Sequence, residues 1–292
     1  MNILWISDFG INHNIGGAQR SNDLIIQEGR KQGHCIQPFY YDTNLQLLNK
    51  PYDLLVSSNL ELLSRQRPDI LDYISSHPNH VRLEHDSNRY LNLEDRKKLF
   101  KNCKKTVFLT KYHYEQFLNH YGSIFYNVCV IPDPIDTSLF YNRNENRDNK
   151  ILNVGFMHEL KGTNNFFDYV YSNSDLNFVM AAWGNEEYIN IAKSLKNLEW
   201  LGHIPYEEMP ELYNKYTTMY YQPVFYEPFC RAVGEALLCG MNINSNDLVG
   251  SLHYYNEIGE DQFATQCNQA TQVFWKSIDE VCNSNLERVS SS

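Results

Sequence analysis

Two carboxylates eight residues apart, Glu227 and Glu235, frame the most chemically suggestive stretch of the chain, Glu227-Pro228-Phe229-Cys230-Arg231-Ala232-Val233-Gly234-Glu235. The apolar run Met219–Val224 before it reads as the end of a buried strand, and Cys239-Gly240 after it reads as a helix stop. Pro228 suits the first turn of a short helix, where a missing N–H costs nothing. Eight residues at helical rise set the carboxylates roughly 12 Å apart. That is about the length of a nucleoside diphosphate sugar laid along the helix start. Glu227 would accept hydrogen bonds from sugar hydroxyls and Glu235 from ribose hydroxyls. The first-turn amides and the helix dipole, with Phe229, Cys230 and Arg231 in that backbone, would hold the phosphates. An ordinary amphipathic helix with both glutamates in water has the same spacing.

The string Glu227-Pro228-Phe229, Glu235-Ala236, Cys239-Gly240 resembles the Glu-x7-Glu motif of retaining family-4 glycosyltransferases (glycosyl transferases group 1) of the GT-B fold. The resemblance runs over about residues 2–260. It implies an α/β protein of two facing Rossmann-like domains with an interdomain cleft, the second domain holding a nucleotide sugar and the first presenting the acceptor. Gly16, Gly17 and Arg20 match the family's Gly-Gly-x-x-Arg over the donor diphosphate, His85 its histidine near the reacting sugar, and His203-Ile204 its backbone beside the nucleobase. Lys161-Gly162 matches the Lys-Gly of a Gly-Arg-x4-Lys-Gly pattern whose arginine is Phe156 here, so one of two phosphate-facing cations is missing. We expect Arg231 to compensate, since a guanidinium can grip phosphate with two prongs.

The elements that must position these residues alternate. Short apolar strands at Asn2–Asp8, Asp53–Ser58, Val81–Asp86, Lys105–Thr110, Val128–Pro132, Ile151–Phe156 and Asn177–Gly184 are separated by helical stretches, the pattern of parallel sheets covered on both faces. The loop Phe9–Gly17 between the first strand and helix ends in Gly16-Gly17, a geometry that brings backbone amides to a phosphate. His85-Asp86 and Thr110 fall at strand C-terminal ends, where function collects in such sheets. Arg20, Asp86 and Thr110 are read as acceptor-side residues. The expected domains are 1–135, a polar linker 136–150, and 151–292.

Composition narrows the classes. The chain has 292 residues and a net charge of −10, with +1 in residues 1–135 and −11 in 136–292. Hydrophobic content of 42% and a mean hydropathy of −0.50 describe a soluble globular protein. Seven cysteines without a Cys-x-x-Cys pair read as reduced and cytoplasmic. The basic stretch 96–105 reads as a solvated helix face or, in its functional sense, weak peripheral contact with the inner face of a membrane. No Asp-x-Asp and no zinc spacing occur, so no metal and no cofactor is expected.

The reading is transfer of a sugar from a nucleotide-sugar donor, the base unspecified, to a glycan, lipid-linked sugar, protein or nucleic-acid base. Retention, and with it same-face attack in which the leaving phosphate takes the acceptor's proton, is what the resemblance implies. Glu227, Lys161 and His85 are the expected catalytic residues. The alternative is a degenerate member that binds a nucleotide sugar or glycan without turning it over. An NAD-type oxidoreductase is disfavoured because the first loop lacks Gly-x-Gly-x-x-Gly.

Overall fold

The structure, a computed structural model, describes residues 1–12, 16–87 and 93–290, with side chains described to Val281. The chain forms two compact units, Met1–Pro134 with Gln266–Ser292, and Ile135–Thr265. Both are α/β units with wholly parallel sheets, the Rossmann-like pair expected of the GT-B fold.

In the first unit the chain runs β1 (Asn2–Ile6), α1 (Gly17–Lys31), β2 (Cys35–Phe39), β3 (Leu54–Ser57), α2 (Glu61–Gln66), α3 (Pro68–Ser76), β4 (His80–Leu83), α4 (Leu93–Lys101), β5 (Cys103–Phe108), α5 (Lys111–Tyr121) and β6 (Val128–Val130). The sheet order is β2-β1-β3-β4-β5-β6. Ile3, Leu4, Trp5, Ile6, Leu54, Leu55 and Val56 are all fully buried, as strands covered on both faces must be. Beyond β4, Glu84 is wholly buried and held by two equally buried arginines. Arg82 donates to Glu84 from Nε (3.1 Å) and Nη2 (2.9 Å), and Arg96 donates from Nη1.

The second unit runs β7 (Asp148–Phe156), α6 (Thr163–Ser172), β8 (Phe178–Trp183), α7 (Glu186–Ser194), β9 (Leu198–Trp200), α8 (Met209–Lys215), β10 (Tyr216–Tyr221), α9 (Arg231–Leu238), β11 (Asn242–Ser245) and α10 (Gly250–Ile258). Its sheet order is β11-β10-β7-β8-β9. The last helix, α11 (Glu260–Ser290), starts in this unit and belongs to the first from Gln266 onward.

Two expectations are corrected here. The segment 266–292 groups with the first unit, not the second. Fully buried Trp275 donates from Nε1 to the Ile25 carbonyl at 2.7 Å, and its ring fills the space a side chain at Gly29 would need. The basic stretch 96–105 is not one helix, because α4 ends at Lys101 and β5 starts at Cys103. Arg96 is buried against Glu84, Lys97 and Lys98 pair with Glu94 (3.0 Å) and Asp72 (3.3 Å), and Lys105 is a buried strand residue.

The burial of this unit has a pH consequence. His80 opens β4 with Nε2 2.7 Å from Ser57 Oγ, and burial, with Arg82 nearby, pushes its pKa down to about 3. Such a histidine takes up its proton only on unfolding. The stability it confers is whole above the unfolded value of 6.5 and falls as pH drops toward about 3, by up to ~1.4 kcal/mol per pH unit. His80→Asn should therefore flatten the pH dependence of urea unfolding between about pH 6.5 and 4.5 by that slope. Parallel wild-type and variant curves would contradict the assignment.

Candidate active site

The order of the second sheet reverses between β7 and β10, and in such sheets the crevice at the strand C-terminal ends at that point is where ligands bind. The chain leaving β7 brings Lys161 to this place and the chain leaving β10 brings Glu227. Lys161 Nζ donates to Glu227 Oε1 at 2.7 Å, and Tyr221 OH donates to the same oxygen at 3.3 Å. The lysine side chain is 42% exposed and the glutamate 15%, so the pair sits at the edge of solvent.

Two glycines allow the approach. Gly162 is left-handed (φ 76°), and a Cβ there would lie 1.9 Å from the Gln222 carbonyl oxygen. Its absence lets the loop after β7 strap onto the chain after β10, where Val224 N donates to Leu160 O at 3.0 Å. A Cβ at Gly250 would lie 2.1 Å from the Pro228 carbonyl oxygen. There the start of α10 clasps the motif: Glu227 N donates to Leu248 O (2.7 Å), Gly250 N to Glu227 O (2.9 Å) and Ser251 N to Phe229 O (2.7 Å). The Val249–Ser251 segment is thus part of the site's frame.

The clasp changes the expected helix. α9 begins at Arg231, not at Pro228, and Cys230 before it is left-handed (φ 68°, ψ 85°). The spacing of Glu227 and Glu235 is therefore not eight helical residues. Phe229 is buried and stacks on Phe263 at 6.0 Å, so its side chain is core. Burial pushes the Cys230 thiol up to about 12, which makes it an inert neighbour.

Arg231 is paired within α9. Its side chain and that of Glu235 are 6% and 4% exposed, and Arg231 Nη2 lies 3.2 Å from Glu235 Oε1. Tyr206 OH completes a triangle, accepting from Arg231 Nη2 and donating to Glu235 Oε1, both at 3.1 Å. Arg231 faces a carboxylate here, and Tyr206 is a site residue that sequence reasoning missed. Phe156 ends β7 half-exposed, 6.0 Å from the Trp183 ring, and His203 and Ile204 lie in the loop after β9.

The remaining expected residues belong to the first unit. Gly16 precedes α1 and Gly17 and Arg20 lie in its first turn, while positions 13–15 of that loop are outside the described residues. His85 is buried with Nδ1 3.5 Å from Asp133 Oδ1. Burial lowers its pKa against the opposing pull of Asp133, and its Nε2 has no hydrogen-bond partner among the described residues. Asp86 accepts from Asn59 Nδ2 at 2.7 Å, and burial, with Glu84, raises its pKa. Thr110 is the N-cap of α5, its Oγ1 accepting from His113 N at 3.0 Å.

Residues 135–290, more than half of the chain, match the family described as Glycosyl transferases group 1. The protein belongs to that family. No curated protein matches. Among solved structures, HepE of Anabaena in complex with UDP and glucose is similar at a TM-score of 0.65 and 13% identity, with 100% of both chains covered. Sucrose-phosphate synthase from Thermosynechococcus elongatus reaches 0.65 at 12% identity, also with full coverage of both chains. WaaG, a glycosyltransferase involved in lipopolysaccharide biosynthesis, reaches 0.64 at 13% identity, covering 97% of this chain and 94% of its own. At these identities the likeness is one of fold. Within this group 1 glycosyltransferase, Glu227, Lys161 and Glu235 stand in one unit, with the Lys161–Glu227 pair on the segments that leave β7 and β10.

The buried Arg231–Glu235 pair can be tested by stability alone. Arg231→Ala should cost about 3–5 kcal/mol in urea unfolding, because Glu235 is left buried without its cation. Replacing both residues with methionine should recover most of that loss. A loss below about 1 kcal/mol for the single variant, the worth of a surface pair, would show that the pair is not buried in solution.

Proposed function

We propose that this group 1 glycosyltransferase moves a sugar from a nucleoside diphosphate donor to an acceptor with retention of configuration. The observation that carries the reading is the 2.7 Å contact of Lys161 with Glu227 at the switch-point crevice, with Glu235 eight residues further on. Glu227 accepts hydrogen bonds from the donor's sugar hydroxyls and holds the ring. The Lys161 ammonium, already at the rim, neutralises charge on the departing diphosphate, aided by the amides that open α9. Glu235, held by Arg231 and Tyr206, takes the ribose hydroxyls. Tyr206 and Arg231 act as positioning residues, holding the Glu235 carboxylate in place.

The resemblance of the Glu227–Glu235 motif to that of retaining enzymes supports retention. The proposed route is same-face attack, with the acceptor hydroxyl losing its proton to the leaving phosphate oxygen as the new glycosidic bond forms. Protein cations and amides, not a metal, balance the charge in this scheme. Asp86, Arg20 and Thr110 are assigned to the acceptor, a glycan, lipid-linked sugar, protein or nucleic-acid base, and His85 to the reacting sugar. HepE's complexes with UDP and UDP-glucose make the uridine donor the first to test. Phe156, an aromatic residue in place of a cation, favours a second reading, a non-catalytic nucleotide-sugar binder. Release of free sugar from donor without acceptor separates the two.

Glu227→Gln should lower donor turnover at least tenfold, about 1.4 kcal/mol of transition-state stabilisation, while UDP affinity stays within about threefold. Retention should appear as a product whose anomeric proton coupling matches that of the donor. A variant with near-wild-type turnover, or an inverted product, would refute the respective assignment.

A further inference from the structure

The two side chains that donate to Glu227 meet the same oxygen. Lys161 Nζ reaches Oε1 at 2.7 Å and Tyr221 OH at 3.3 Å, while Oε2 has no partner among the described residues. The two donors differ in kind. Lys161 carries its charge on a flexible four-carbon stem that is 42% exposed. Tyr221 is the buried last residue of β10, a strand paired on both sides, with β7 and β11. Its register partner on β11 is Ser245, whose Oγ donates to the Tyr221 carbonyl. The next carbonyl, that of Gln222, fills the place of a side chain at Gly162. One donor can swing and the other cannot.

Cys230 stands beside the phenol, its thiol within hydrogen-bond reach of Tyr221. The backbone of Cys230 is left-handed (φ 68°, ψ 85°), a conformation that costs little for glycine and more for a residue with a Cβ. Strain of that kind persists where the surroundings dictate it, and it gathers at functional sites. The clasp of 248–251 on 227–229 dictates it here, and the Cβ carries the sulfur to Tyr221. Burial, with Cys230 and Glu227 facing it, raises the Tyr221 pKa well above its ordinary value. Burial, with Glu227 facing it, pushes the Cys230 thiol up to about 12. Both groups therefore keep their protons at neutral pH.

We propose that Tyr221, backed by the Cys230 thiol, is a positioning residue that pins Glu227 Oε1 and leaves Oε2 for the donor's sugar. The inference rests on the donor reading above and adds to it the groups that hold Glu227 once the donor has arrived. In that reading the diphosphate draws on the Lys161 ammonium, which loosens the lysine's grip on the carboxylate. A phenol at a strand end does not follow the phosphate. It is also neutral, so it orients the carboxylate without cancelling the charge to which a sugar hydroxyl donates. The Cys230 S–H donates to the Tyr221 oxygen and the Tyr221 O–H to Oε1, a chain in which each hydrogen bond polarises the next.

The test is calorimetric titration with the best-bound of UDP, GDP and ADP and with its glucose conjugate. The proteins are wild type, Tyr221→Phe, Glu227→Ala and the double variant. Tyr221→Phe should weaken binding of the conjugate about fivefold, the effect of one typical hydrogen bond, and leave the free diphosphate within about twofold. In the Glu227→Ala background the same change should alter conjugate binding by less than about twofold, because the group that Tyr221 holds is gone. Cys230→Ala should cost about threefold for the conjugate alone, and Cys230→Ser, which keeps a donor there, should recover most of it. Unaltered conjugate affinity in Tyr221→Phe, an equal loss for conjugate and free diphosphate, or the same loss with and without the Glu227 side chain would each overturn the positioning role and leave the donor reading standing. Wild-type protein that binds none of UDP, GDP and ADP would overturn both.

Discussion

The Lys161–Glu227 contact depends on two chain segments that leave different strands and meet only because the sheet order reverses between β7 and β10. An ammonium and a carboxylate at 2.7 Å on the edge of solvent contribute little to stability unless their backbones are fixed for another reason. They are fixed here by backbone hydrogen bonds and by positions where no side chain fits. Gly162 admits the Gln222 carbonyl, and Gly250 admits the Pro228 carbonyl. The pair is pre-positioned by the frame, and its charges remain available to a ligand.

Charge is handled differently a few residues away. Residues 136–292 carry a net −11, an unfavourable background for a dianionic ligand. Glu235 does not add to that background, because buried Arg231 neutralises it and Tyr206 shares its oxygen. The arginine that sequence reasoning assigned to the diphosphate pairs with a carboxylate in this structure. Lys161 and the amides at the start of α9 are the proposed phosphate contacts.

Much of this was legible in the sequence. Runs such as Ile3–Ile6 and Leu54–Val56 announce buried parallel strands, and Glu227, Glu235 and Lys161 are recognisable by type and spacing. The left-handed turn at Cys230 was not legible, since its φ is set by the clasp of the α10 start on residues 227–230, which are distant in sequence. Tyr206 and Tyr221 are two of 21 tyrosines, with nothing local to mark them as partners of the motif glutamates. Arg96 did leave a signal. It precedes Leu99 and Phe100 by three and four residues, on the apolar face of α4, where a charged residue must have a buried partner. The surface that receives Trp275 is a tertiary fact that sequence periodicity does not contain.

The central claim, that the crevice after β7 and β10 holds the sugar end of a nucleotide donor through Glu227, is tested most directly by a crystal structure of the protein with a hydrolysis-resistant nucleoside diphosphate sugar. The account predicts the sugar ring with a hydroxyl within hydrogen-bond distance of a Glu227 oxygen and a diphosphate oxygen within reach of Lys161 Nζ. A donor bound with its sugar remote from Glu227, or bound only at the first unit, would contradict it.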